Sequence, residues 1–345
     1  MKNFLKTLKE RYEAFKAENP KVRIREAAKQ LGVSEAELVA CGIGETAIRL
    51  EGDFREMLKD VPSLGYVMAL TRNDHVVHER KGIYEQVSFD NHVGLVLGED
   101  IDLRLFMIHW AFGFAVNENE RLSLQFFDKS GEAVHKIYLN EKSNRDAFGA
   151  LVEKYRAADP YAPMEISPYA APEVPQPDEN IDITGFQKAW LNMKDTHEFF
   201  GMLRKYKVSR TQGLRLAPEG YAWEISVEQV KQVFHSVSKK ECPVMIFVGN
   251  RGCIQIHTGL VHNIVQTGGW FNVLDPEFNM HLKDEAIASA WVVRKPTEDG
   301  IVTGIELYDA DGQNIILMFG KRKPGIPEQQ LWRDIITQEV RAMYV

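Results

Sequence analysis

Cysteine is scarce: Cys41, Cys242 and Cys253 are the only three in 345 residues, and no two of them form a CxxC pair. That spacing excludes a thiolate zinc cluster and a disulfide framework, and fits a reducing compartment. Long apolar runs are also missing. The opening "MKNFLKTLKERYEAFKAENP" interrupts its apolar residues with charge at helical spacing, so it predicts an amphipathic helix ending near Asn19-Pro20, neither signal peptide nor membrane span. A cytoplasmic location is therefore expected. Positive charge is in deficit, with 42 Lys and Arg against 49 Asp and Glu for a net charge of -7, which argues against a general nucleic-acid binder.

Enzyme signatures are missing too. There is no GxSxG nucleophile elbow and no HExxH zinc motif, and "CGIG" around Cys41 is too short for a phosphate loop. No nicotinamide or flavin fingerprint appears, so any reductant must be external or bound without a recognised motif.

What the chain does contain is 44% hydrophobic and 26% charged residues, the balance of a soluble globular protein, over a length that suggests two domains of roughly 150 residues. Proline concentrates in "AADPYAPMEISPYAAPEVPQPD", which reads as a semi-rigid extended linker. The expected division is a first repeat unit at 1–156, a linker at 157–180 and a second unit at 181–345.

The two halves repeat. "VMALTRNDHVVHERKG" from Val67 aligns with "VMIFVGNRGCIQIHTG" from Val244 at an offset of 177, which also sets Arg104 opposite His281. Four inserted residues raise the offset to 181, pairing Trp110 with Trp291 and "FFDKSGEAVHKIYL" with "LYDADGQNIILMFG". In the helical region, Gly32-Val33-Ser34 falls on Lys207-Val208-Ser209 at an offset of 175. Alternating apolar and polar residues with Gly, Asn and Asp at the breaks predict antiparallel meanders, each preceded by helices. The expected fold is α+β, a tandem duplication of a unit in which helices precede a large antiparallel meander.

"REAAKQLGVSEAEL" has the rhythm of a helix-turn-helix, but Glu35 and Glu37 at the start of its second helix would repel phosphate, so a packing role is preferred. "DADG" at Asp309 to Gly312 lacks the further acidic ligands of a calcium loop and reads as a hairpin turn. His75 and His78 could share a metal only with a third ligand from elsewhere.

His197 in "KDTHEFFGML" has a different setting: helical spacing, Gly201 four residues on, and Phe199 and Phe200 beside it. That combination leaves room for a flat apolar ligand on one helix face. A lone histidine on such a face is more often core. Arg204, Arg210, Lys295 and Arg322 lie in the same half and would suit the acidic arms of an amphipathic ligand, although each alone reads as a surface cation.

"RNDHVVHE", "IDLRLF", "KDTHEFF", "MIFVGNRGC", "RKPTEDG" and "FGKRKPGIPEQQLWR" together resemble the bacterial haemin-transport and haemin-degrading proteins of the HemS, ChuS and PhuS type, in order and through the duplication. The resemblance implies haem (iron protoporphyrin IX) as cofactor, with His197 as axial ligand to the metal and Arg104 as a distal arginine of catalytic importance. It places Arg210, Lys295 and Arg322 near the propionates and lets Phe106 and Phe247 line the pocket, beside Phe199, which the residues themselves offer as an aromatic wall. Leu317 and Phe319 stand where some relatives have glutamine and tyrosine, which changes the propionate contacts.

A neutral imidazole suits iron and leaves the opposite position free. Two functions follow from the resemblance: oxidative haem degradation that releases iron, with an external electron donor, or carriage of intact haem from an importer to a separate haem oxygenase. Carried back through the offsets, His197 meets Val22, Arg210 meets Glu35, Lys295 meets Phe114 and Arg322 meets Glu141, so one haem per chain is expected.

Overall fold

The helical starts are written in local chemistry. Helix Ile24–Leu31 ends on Gly32, which adopts a left-handed φ of 69° that glycine tolerates without cost. Ser34 then caps helix Glu35–Ala40 in a reciprocal box with Glu37. The second half repeats the device at the aligned positions: Lys207 takes the left-handed cap at φ 53°, and Ser209 boxes with Gln212 to start helix Arg210–Arg215. The computed structural model describes residues 1–90, 93–172, 174–323 and 325–340; the linker residue Glu173 and Pro324 of the "FGKRKPGIPEQQLWR" stretch lie outside them.

The fold is α+β and duplicated. In the first unit, strands Ala47–Leu50, Phe112–Glu118, Arg121–Phe127, Ala133–Ser143 and Gly65–Arg72 pair antiparallel in that order. Alternation along these strands feeds two cores. Ala115, Leu124, Phe126 and Ile137 face helices Phe54–Asp60 and Arg145–Lys154. Phe114, Val116 and Phe127 face the three N-terminal helices, the first of which, Lys2–Glu18, ends where the sequence predicts. A three-stranded antiparallel ribbon, Ser88–Phe89, Gly94–Leu97 and Asp102–Leu105, completes the unit.

The second unit has the same plan. Ala222–Ile225, Ser289–Thr297, Gly300–Tyr308, Asn314–Gly320 and Val244–Gly249 form the meander, and Ile264–Thr267, Trp270–Leu274 and Phe278–Lys283 form the ribbon. Helices Val227–Lys239 and Gln330–Glu339 cover one face through Phe234, Val237, Trp332 and Ile336. Helices Ile183–Leu191, Glu198–Tyr206 and Arg210–Arg215 cover part of the other against Val293 and Tyr308.

The compact units do not follow the chain halves strictly. Asn73–Val77 belongs to the second unit and Gly249–Gln255 to the first. These are equivalent hairpin tips, and the aligned asparagines anchor each to its unit: Asn73 donates to the Ile315 carbonyl at 3.0 Å, and Asn250 donates to the carbonyls of Arg72 and Val134 at 3.0 and 2.8 Å.

The proline-rich stretch is extended but not free. Its first part is tied to the first unit, where Ser167 N–H donates to the Lys129 carbonyl at 2.7 Å. Its last part is tied to the second, where the Gln176 amide donates to the Tyr206 carbonyl at 3.0 Å. The "DKSG" and "DADG" segments are both hairpin turns in which Asp128 and Asp309 accept from the amides that follow. Among the described residues no helix is long and apolar enough to cross a membrane.

Candidate functional site

His197 is 94% exposed through its side chain. It does not sit inside the helix, as its spacing suggests, but caps it: the helix begins at Glu198. The physical reason lies two residues earlier. Asp195 Oδ1 accepts the His197 backbone N–H at 2.8 Å and so closes an Asx turn ahead of the helix. The same oxygen lies 2.6 Å from His197 Nδ1, which must therefore carry the proton it donates. Nε2 is left with its lone pair directed away from the carboxylate. These bonds to His197 pull the Asp195 carboxyl below its ordinary value, and the charge of Arg322 is close enough to contribute.

The space beside this imidazole is open. A methyl group added to Gly201 would meet nothing within 4 Å, and Phe200 is exposed. Phe199 points the other way: it is 2% exposed and packs edge-on to Trp190 with centroids 4.9 Å apart. It therefore belongs to the core behind the histidine, where sequence alone made it a candidate pocket wall.

Two expected ligand cations converge on Phe199 from the inner side. Lys295 Nζ lies 4.3 Å and Arg210 Cζ 5.3 Å from its ring centroid. Both are held by Glu306, whose side chain is wholly buried. Arg210 donates Nε–H and an Nη2–H to the two carboxylate oxygens at 2.9 Å each, Lys295 donates at 2.6 Å, and the Tyr308 hydroxyl adds a further bond. Burial works against the Glu306 charge, yet the two cations hold its carboxyl far below the ordinary range. Burial and the neighbouring Arg210 together hold the Lys295 amine below its usual value despite Glu306. The expectation of surface cations thus meets an internal charge triad.

Arg322 is different. Among the described residues its nearest ionic partner, Asp299, is 3.7 Å away, and its buried Nε has no hydrogen-bond partner. It is the expected propionate cation with donor capacity to spare.

Next to the helices, the meander exposes an apolar patch. Phe247 and Leu317 pair across neighbouring strands, as do Met245 and Phe319, and all four are half-buried. Phe247 and Phe319 meet edge to face at 5.6 Å. Gly304 makes room, because a Cβ there would stand 2.5 Å from the Phe319 ring.

Arg104 and Phe106 belong to the first unit. Arg104 pairs with Asp102, two residues back on the same face of its strand, and donates to the Leu103 carbonyl at 3.1 Å. Phe106 is half-buried and donates its amide to the Gly252 carbonyl at 2.9 Å. His75 pairs with Asp309 at 3.3 Å, whereas His78 is buried in the other unit; among the described residues, no three His, Cys, Asp or Glu side chains are grouped to hold a metal ion. The "CGIG" turn folds the amides of Glu45, Thr46 and Ala47 onto the Gly42 carbonyl, which occupies the donors a phosphate would need.

The first unit also holds a buried polar chain. His135 Nε2 lies 2.5 Å from the Tyr84 hydroxyl and Nδ1 lies 2.8 Å from the Thr71 hydroxyl, which in turn is 3.3 Å from Cys253 Sγ. Burial pushes the His135 imidazole down to about 3 and the Cys253 thiol up to about 12. At the aligned positions the second unit has Ile316, Val261, Val248 and Val76, all buried and apolar.

Sequence reasoning missed Asp195, Glu306 and Tyr308. The Asp-x-His spacing is a local signal that could have identified Asp195, and a glutamate between Ile305 and Leu307 in an apolar strand marks a buried charge in need of partners.

Comparison with known proteins agrees with this architecture. The haemin-degrading HemS.ChuX domain matches residues 32–155 and again 207–338. The hemin transport protein HemS of Yersinia enterocolitica is 38% identical over 341 residues, spanning 96% of this chain and 97% of its own. Among solved structures, apo-PhuS, a heme-binding protein from Pseudomonas aeruginosa, superposes with a TM-score of 0.95 at 44% identity over 97% of this chain and 98% of its own. The heme degrading enzyme ChuS of Escherichia coli O157:H7 gives 0.89 at 35% identity over 95% and 97%. With one domain match in each half and likeness along nearly its whole length, the chain belongs to the haemin-degrading HemS.ChuX domain family.

Proposed function

We propose that this protein binds one haem through His197 and degrades it oxidatively to release iron. The observation that carries the reading is the state of His197: an exposed imidazole whose Nδ1–H is committed to Asp195 and whose Nε2 makes no hydrogen bond among the described residues. The surroundings fit the group. Open space at Gly201, the half-buried Phe247 and Phe319 and the under-used donors of Arg322 match a flat apolar ring with acidic edges.

Haem, when bound, would supply the redox chemistry, with dioxygen as oxidant and electrons from an external donor. The chain's residues do the rest. His197 would hold the iron through Nε2. Arg322 donates to a propionate through its guanidinium. Arg210 and Lys295 act one layer back: with Glu306 they carry a net positive charge behind Phe199 and attract the acidic edge without leaving their carboxylate. Arg104 and Phe106 belong to the first unit, and their roles as distal arginine and apolar lining rest on the family resemblance alone.

Carriage of intact haem is the second reading, favoured by the absence of any dinucleotide fingerprint in the chain and by the name of the transport relative, HemS. Aerobic and anaerobic incubation of the haem-loaded protein with a reductant separates the two. Oxygen-dependent loss of the Soret band with release of iron supports degradation, and an unchanged spectrum supports carriage. For binding itself, His197→Ala is expected to abolish the iron coordination and greatly weaken affinity. An unchanged Soret spectrum and affinity in that variant would refute the site.

A further inference from the structure

We propose that Asp195 is a positioning residue that selects the ligating tautomer of His197 and sets its strength as a donor to iron, an inference that rests on the haem-binding reading above. The argument is geometric. One oxygen, Asp195 Oδ1, accepts both the backbone N–H and the ring Nδ1–H of His197, at 2.8 and 2.6 Å. Backbone and ring are thereby tied to a single point, which sets both where the helix starts and how the imidazole is turned.

The turn that carries Asp195 is itself pinned. Lys194 N–H donates to the Glu198 carboxylate at 3.1 Å, and Glu298 N–H donates to the Lys194 carbonyl at 2.9 Å. Four bonds therefore hold five residues around one exposed ring. An exposed histidine that needs no orientation would not require this arrangement: its nitrogens would be served by water, and in water the Nε2–H tautomer, which cannot ligate through Nε2, predominates.

A carboxylate on Nδ1–H reverses that preference. It keeps the proton on Nδ1, leaves Nε2 as a lone pair and increases electron density on the ring, as outer-sphere carboxylates do for metal-bound histidines. In the exposed state the bond is partly screened by water. A flat ligand lying against the ring would displace that water and strengthen it.

The test uses the full-length chain. In haem-free protein, the ring ¹⁵N shifts of His197 are expected to report the Nδ1–H tautomer, and Asp195→Asn and Asp195→Ala to move the population toward Nε2–H. In the ferrous haem-loaded protein, both substitutions are expected to lower the iron–histidine stretching frequency and weaken haem affinity by about 10- to 100-fold, with Asp195→Glu restoring part of each effect. Asparagine can still accept the backbone N–H, so the helix start and thermal unfolding should be preserved in Asp195→Asn. An unchanged tautomer and an unchanged stretching frequency in both variants would overturn the inference. His197→Ala separates the failures: if it retains iron coordination, the binding reading falls and this inference with it, and if it loses coordination while the Asp195 variants match wild type, this inference alone falls.

Discussion

Replacing Glu306 by glutamine isolates the charge triad behind Phe199. The carboxylate is wholly buried and pairs with both Arg210 and Lys295 at distances of 2.6–2.9 Å. Glutamine keeps the shape but leaves two cations facing each other, one of which, Lys295, is only 4% exposed. Removing one partner of a buried ionic set costs about 3–5 kcal/mol, because the remaining charges have lost their solvent and their counter-charge. For a unit of this size that corresponds to a midpoint lowered by about 6–20 °C. The second substitution makes the test sharper. Lys295→Met in the Glu306→Gln background removes the more deeply buried stranded cation and leaves Arg210, which retains some solvent contact, so the pair should recover part of the loss and show a coupling of about 1–3 kcal/mol.

Urea unfolding followed by tryptophan fluorescence is the appropriate assay, since Trp190, Trp223, Trp270, Trp291 and Trp332 lie in the second unit and only Trp110 in the first. The pH dependence follows from sign. The Glu306 carboxyl is lowered from its ordinary 4.5, so its contribution is complete above that value and is lost as pH falls through the lowered one. The wild-type advantage should be constant from neutral pH to about 5 and shrink only on stronger acidification. A Glu306→Gln variant within about 1 kcal/mol of wild type, or strict additivity with Lys295→Met, would refute the assignment of these charges.

Haem titration should saturate at one equivalent per chain: the first-half positions aligned with His197, Arg210, Lys295 and Arg322 hold Val22, Glu35, Phe114 and Glu141, of which Glu35 is buried on Lys136 and Phe114 is core. A second tight equivalent that survives His197→Ala would overturn this. Arg104→Ala should retain haem but alter the ligand on its open face and slow any ring oxidation, so unchanged resonance Raman lines and kinetics would remove Arg104 from the site. His135, held neutral with an imidazole lowered from 6.5 to about 3, makes unfolding easier on acidification, because below 6.5 the unfolded chain takes up a proton that the folded chain refuses. The stability gap between wild type and His135→Gln should narrow by up to ~1.4 kcal/mol per pH unit between those values, and a gap independent of pH would contradict the burial of a neutral ring.

The sequence alone determined the duplication, the meanders and the caps at Ser34 and Ser209, because these are set by periodicity and by side chains that act on their own backbone within three or four residues. Asp195 belongs in the same class, legible through its spacing to His197. The tertiary structure decided the rest. Whether Arg210 and Lys295 face a ligand or Glu306 depends on strand register across 96 and 11 residues. Whether Phe199 lines a pocket or backs it depends on which side of its helix meets Trp190. Neither is encoded by charge or hydrophobicity at the position itself. The aligned sites that carry His135, Tyr84, Thr71 and Cys253 in one unit and Ile316, Val261, Val248 and Val76 in the other make the same point: one backbone accepts a hydrogen-bonded polar core or an apolar one, provided every buried donor and acceptor finds its partner.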